Sequence, residues 1–212
     1  ALGPPVVFYD LGEDNFVECP GIAEGPGGAI RPVAIDVAAN GCTIAGNRIG
    51  YASQFYIGIR VTGWACEITG NQIASRRTEF NILGPIAIAI GIDQGENTAI
   101  VISGIAAHNT IFGFQHGIVC SDAFQLVIEG NVIDTFSGFA VFGTRVLASE
   151  ISSNRIGGAL AAVYLNNGRQ NRIVSNDCRI GMTGITLFQE AGPQIAGNRL
   201  DDPKTDEKIA LG

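Results

Sequence analysis

Asp36, Arg60 and Asp93 are the residues of this sequence best placed for chemistry, because each holds the third place of a similar short segment. The segments read Ala34-Ile35-Asp36-Val37, Gly58-Ile59-Arg60-Val61 and Gly91-Ile92-Asp93-Gln94. Stacked as neighbouring strands, they would set adjacent side chains roughly 4.8 Å apart and the two carboxylates about 9 to 10 Å apart. That lies at the upper edge of the roughly 6.5–9.5 Å between the two carboxyl groups of an inverting glycosidase. In a lyase or epimerase, Arg60 would instead neutralise a uronate carboxylate, with His116 as the base. Opposite charges stacked on an exposed sheet face also satisfy one another, and that reading stands beside the catalytic one.

The elements that must position these residues are copies of one unit. Ile128-Glu129-Gly130-Asn131-Val132-Ile133 recurs as Ile44 to Ile49, Ile68 to Ile73, Ile151 to Ile156, Ile173 to Cys178 and Ile195 to Leu200, with a degenerate copy at Ala106 to Ile111. Between Asn47, Asn71, Asn109, Asn131, Asn154, Asn176 and Asn198 the steps are 24, 38, 22, 23, 22 and 22 residues. A near-constant period of this size marks a stacked repeat fold.

Three apolar segments fill each unit. Residues three before the Asn (such as Ile44, Ile68 and Ile128) and two after it (such as Ile49, Ile73 and Ile133) form inward aliphatic rows. The third segment follows a Gly- or Ala-led turn and continues as Gly117-Ile118-Val119-Cys120, Gly138-Phe139-Ala140-Val141, Ala162-Val163-Tyr164-Leu165 and Gly184-Ile185-Thr186-Leu187. Its period of two is that of a half-buried strand. Three strands in about 22 residues leave no room for a crossover helix, so successive coils must pair directly and in parallel. This alignment predicts an outward row of Asp36, Arg60, Asp93, Val119, Ala140, Tyr164 and Thr186. Asn suits the bend because it tolerates a left-handed backbone, and stacked copies can bond to one another.

The combination of I-x-G-N-x-I with G-I-x-V is similar to the right-handed parallel β-helix of the pectate-lyase-like superfamily, over about residues 33–200. The expected fold is all-β, a solenoid of about seven coils with three short strands per coil. Residues 1–32 would form an N-terminal cap or partial coil, and 201–212 a C-terminal tail. The resemblance implies a groove along the strand bearing G-I-x-V, but it covers lyases, polygalacturonases, epimerases, tailspike depolymerases and non-catalytic surface proteins alike. Enzymatic features of that superfamily are missing. The only adjacent aspartates, Asp201-Asp202, lie in the tail; no Asp-Pro-His-Asp element occurs; and Asp36, Asp93 and Asp122 are too scattered for a calcium cluster.

Composition narrows the classes further. A net charge of −7, with both lysines in the tail, argues against nucleic acid as partner. No apolar run approaches the roughly 18 residues of a membrane helix. The chain begins at Ala1 without a signal peptide, as a mature secreted form or an excised fragment would. Five cysteines show no metal-site spacing, so neither metal nor cofactor is expected. Cys42 and Cys66 fall in phase with the inward rows as small hydrophobes, within reach of a disulfide across adjacent coils.

Phe142, Tyr164 and Phe188 are expected on one flank of the C-terminal half, where sugar rings or a protein could stack. Insertions at 75–85, with Arg76 and Arg77, and at 94–98 could add binding loops beside Asp93 and Arg60. The expected function is a non-catalytic extracellular or cell-surface module that binds polysaccharide or scaffolds an assembly. The alternatives are a lyase, epimerase or hydrolase acting on an acidic glycan, and a structural stalk associating through Val119, Ala140 and the aromatics. A homo-oligomer, or a partner covering the solenoid ends, would suit the lack of polar caps.

Overall fold

Short runs of aliphatic residues alternating with polar ones favour short strands, and residues that accept a left-handed backbone favour the bends between them. The computed structural model describes residues 33–50, 57–75, 85–92, 100–135, 138–179 and 183–201, with the backbone of Phe16–Val17 and Ile209–Leu211. The first sheet runs through Val33–Val37, Ile57–Val61, Ile86–Ile90, His116–Ser121, Phe139–Thr144, Ala161–Asn166, Thr183–Phe188 and Ile209–Leu211. The second holds Thr43–Ala45, Glu67–Thr69, Ile105–Ala107, Val127–Glu129, Glu150–Ser152, Arg172–Val174 and Gln194–Ala196. The third holds Phe16–Val17, Arg48–Ile49, Gln72–Ala74, Thr110–Phe112, Val132–Asp134, Arg155–Gly157, Asp177–Arg179 and Arg199–Asp201. Every pairing is parallel, and seven successive coils each give one strand to each sheet. Among the described residues there is no helix. The chain is a right-handed parallel β-helix.

In-register stacking makes the core a set of columns. Ile35, Ile59, Ile88, Ile118, Val141, Val163 and Ile185 line up along the first sheet, each with 0% exposure. The residue before each ladder Asn has a left-handed backbone in every coil: Gly46, Gly70, His108, Gly130, Ser153, Ser175 and Gly197, with φ between 55° and 65°. His108 is therefore a turn variant, and its imidazole occupies the space that a Cβ at Gly130 would need.

The ladder itself is continuous. The backbone N–H and the Nδ2 of each Asn donate to the Oδ1 of the next, at 2.9–3.0 Å from Asn47 through Asn198. From Asn71 onward Nδ2 also donates to the carbonyl of an aliphatic residue in the preceding coil, as Asn131 does to Ala106 at 2.8 Å. A second, shorter ladder lies at the corner between the first and second sheets. The Leu126 N–H donates to Ser149 Oγ at 2.9 Å, the Ser149 N–H to Asn171 Oδ1 at 3.0 Å, and Asn171 Nδ2 to Glu190 Oε1 at 2.7 Å.

The register corrects two expected positions. A small residue heads each first-sheet strand, and in the third and fifth coils it is Ala87 and Ala140, not Gly91 and Gly138. Alanine serves there as glycine does, so matching on glycine alone displaced the alignment. Gly91 instead takes the left-handed bend after its strand, with φ 72°. The outward row is Asp36, Arg60, Ala89, Val119, Phe142, Tyr164 and Thr186. Ala89 takes the place expected for Asp93, which lies outside the described residues, as do Arg76, Arg77 and most of both insertions. Ala140 is in the core at 0% exposure, and Val119 is buried at 8%, so neither offers the assembly surface expected of them.

Asn131 takes part in five of these bonds while buried. Asn131→Ala is expected to cost about 3 kcal/mol in urea unfolding, since it strands several buried backbone and amide groups at once. Glu190 adds a pH dependence. Burial raises its carboxyl above the ordinary value, against the Asn171 amide, which lowers it. The contribution of Glu190 is thus fully present below the unfolded pKa of about 4.3 and is lost as pH rises through the higher folded value. The urea midpoint of Glu190→Gln is expected to fall less than that of the wild type between about pH 4 and neutrality.

Candidate functional site

Parallel pairing of Val33–Val37 with Ile57–Val61 sets Asp36 directly beside Arg60. Arg60 Nε donates to Asp36 Oδ1 at 2.8 Å and Nη2 to Oδ2, a fork on a carboxylate. Both residues are buried, at 8% and 7% exposure, although they point away from the aliphatic core. Arg60 Nη1 is buried without a partner. The two charges form a closed pair, the arrangement in which stacked opposite charges satisfy one another. Each neutralises the other, which leaves neither the carboxylate free as a base nor the main fork free for a uronate.

His116 opens its strand, two coils from Arg60, which separates them by roughly 10 Å along the axis alone. Its Nδ1 accepts the Phe139 N–H at 3.2 Å, and the residue is buried at 9% exposure. Of the three candidate catalytic residues that lie among the described residues, the structure brings Asp36 and Arg60 together and leaves His116 apart.

The C-terminal half of the same face is aromatic. His116 stacks on Phe139 with centroids 5.6 Å apart; Phe139 meets Phe142 at 5.2 Å and Tyr164 at 5.1 Å; and Phe142 stacks on Tyr164 at 5.4 Å. Phe139, Phe142 and Tyr164 are each half-buried, so four rings on three coils form one platform. Phe188, at 44% exposure, pairs with Asn166 two positions further along the strands, beyond the ring contacts. Glycine-led matching of Gly138 with Gly117 puts Phe139 in an inward place. Its place opposite Ala161, three before Phe142, was recoverable once Ala140 is taken as the small head residue.

The corner between the first and second sheets carries a feature that apolar periodicity does not show. Residues Ala65, Ser103, Gln125, Ala148 and Gln170 there have left-handed backbones, so the residues before them are turned outward. Trp64, Phe124 and Leu147 are 51%, 39% and 38% exposed, beside Ile100 at 62%. The Trp64 indole N–H donates to the Ile100 carbonyl at 2.7 Å.

Just after the same corner bend, Cys42 and Cys66 are neighbours on adjacent coils, since Thr43 pairs with Glu67 and the Glu67 N–H donates to the Cys42 carbonyl at 2.8 Å. Both thiols are free, Cys42 half-buried and Cys66 buried. Burial raises the Cys66 thiol, opposed by the backbone amide of Cys42. Cys120 and Cys178 are pushed up to about 12, each mainly by burial, and lie on different sheets.

Seven in-register coils, an Asn ladder and an outer face divided between an ion pair and an aromatic platform define a solenoid repeat protein of the right-handed β-helix class. The sequence matches the family described as periplasmic copper-binding protein (NosD) over residues 32–205, well over half of its length, and the chain belongs to that family. No curated protein matches the chain, and no solved structure does.

Copper can be tested against the donors present. Among the described residues no group of three or more His, Cys, Asp or Glu side chains could hold a metal ion, which leaves no nitrogen–oxygen set of the kind Cu(II) prefers. The Cys42 and Cys66 thiols do fit Cu(I), a soft ion that thiolates select.

The ion pair makes its own forecast. Asp36→Ala or Arg60→Met alone should cost about 3 kcal/mol in urea unfolding, because each leaves a buried charge uncompensated. The Asp36→Leu/Arg60→Met double variant is expected to recover most of that loss.

Proposed function

We propose that this chain is a non-catalytic binding module of the cell envelope, working in the periplasm, that holds a glycan chain on the platform of Phe139, Phe142 and Tyr164. The observation that carries the reading is the ring array itself. Sugar rings present flat C–H faces, and half-buried aromatic rings offer a rigid surface that loses little entropy when one stacks on it. The net charge of −7 and the neutral platform favour a neutral glycan over an acidic one. The periplasmic description of the family supports the location.

The enzymatic reading has less support, since Asp36 and Arg60 are closed on each other and His116 belongs to the ring stack. A scaffold role has one observation in its favour, the exposed apolar corner of Trp64, Ile100, Phe124 and Leu147. It would show as a multimer in a native mass measurement.

Affinity electrophoresis and calorimetry across neutral and acidic polysaccharides test the proposal. Retention by a neutral glycan should fall about tenfold, roughly 1.4 kcal/mol, in Tyr164→Ala and in Phe142→Ala, with thermal stability followed in parallel. Turnover of any polysaccharide that disappears in Arg60→Met would replace this reading with the enzymatic one.

A further inference from the structure

We propose that Cys42 and Cys66 form a two-thiolate site for monovalent copper at the corner between the first and second sheets. The geometry starts from register. The two residues occupy the same place on adjacent coils, so their α-carbons are about one strand spacing, roughly 4.8 Å, apart. A side chain in this column does reach the adjacent coil, as the bond from the Ser149 backbone N–H to Asn171 Oδ1 shows further along the same corner.

The two sulfurs are differently exposed. Cys66 is 3% exposed, with its S–H directed to the Ala39 carbonyl at 3.1 Å, and it supplies an inner donor already held in place. Cys42 is half-buried and supplies the donor that an incoming ion meets first. Side chains leaving adjacent parallel strands in the same direction rarely reach the dihedral of roughly 90° that a disulfide needs. An ion between the sulfurs asks only that both face it.

Binding balances without any change of oxidation state. Two neutral thiols and one Cu(I) give a dithiolate complex of charge −1 and two released protons, so uptake strengthens as pH rises. The metal must arrive as Cu(I), from a reduced copper donor. Nothing in this proposal depends on the glycan platform, which lies on the first-sheet face of the fifth and sixth coils.

The test is anaerobic titration of the reduced protein with Cu(I) in competition with the chromophoric chelator bicinchoninate. It is followed by ultraviolet thiolate-to-copper absorption and by iodoacetamide labelling of Cys42 read by peptide mass. The expected result is one Cu(I) per chain and at least tenfold slower labelling of Cys42, with copper uptake lost in Cys42→Ser and both effects lost in Cys66→Ser. Cys120→Ala and Cys19→Ser should take up copper as the wild type does. Cys42→Ser carries the most weight, because a half-buried position tolerates the change, and circular dichroism checks that the fold is kept. Failure of the wild type to take copper from the chelator, or copper retained by the Cys42→Ser/Cys66→Ser double variant, would overturn the proposal.

Discussion

A buried amide cannot be left half-bonded, and this rule holds the solenoid in register. Each ladder Asn from Asn71 to Asn176 presents Oδ1 to two donors from the coil before it and spends its own donors on the coil after it and on a preceding carbonyl. A slip of one residue in any coil would strand these groups in an apolar interior, at a cost comparable to a sizeable share of a domain's net stability. The aliphatic columns add cohesion between coils and resist a one-residue slip as well, since it would turn each inward isoleucine to the outer face. Register therefore comes from the amides and the aliphatic side chains together.

Once register is fixed, the outer face follows from it, because residues about 22 apart become neighbours at one strand spacing. Two very different surfaces result along a single sheet. In the first two coils the face is closed over a fork of Arg60 on Asp36, an arrangement that satisfies charge and gives it no room to react. In the fourth to sixth coils the same face presents contiguous rings, of which His116 is buried and Phe139, Phe142 and Tyr164 remain partly open to solvent. Burial separates the two: opposite charges taken out of water serve mainly each other, while half-exposed rings keep apolar area available to a ligand.

The corner between the first and second sheets shows how backbone conformation governs surface. A left-handed residue in every coil turns the chain, so the residue before it faces solvent and the residue after it faces the interior. That geometry exposes Trp64, Phe124 and Leu147, and it brings Cys42 to Cys66 and Ser149 to Asn171. One column thus holds soft sulfurs at its N-terminal end and a hydrogen-bonded polar pair further on.

How much of this was legible in sequence depends on the kind of residue involved. The Asn-marked units, their inward isoleucines and the all-β solenoid could be read directly, because a repeat of 22 to 24 residues with fixed apolar places admits few other folds. The strand heads of the third and fifth coils are less legible, because Ala87 and Ala140 stand where other coils have glycine and only small size matters there. The left-handed column of Ala65, Gln125, Ala148 and Gln170 carries no compositional mark, since tertiary packing imposes a conformation those residues do not choose alone. Composition and period determined the coil and its core, because burial of a repeated apolar pattern has one economical solution. Tertiary structure alone decided which outer side chains are covered, paired or stacked, because those contacts join residues on different coils and their exposure depends on everything packed around them.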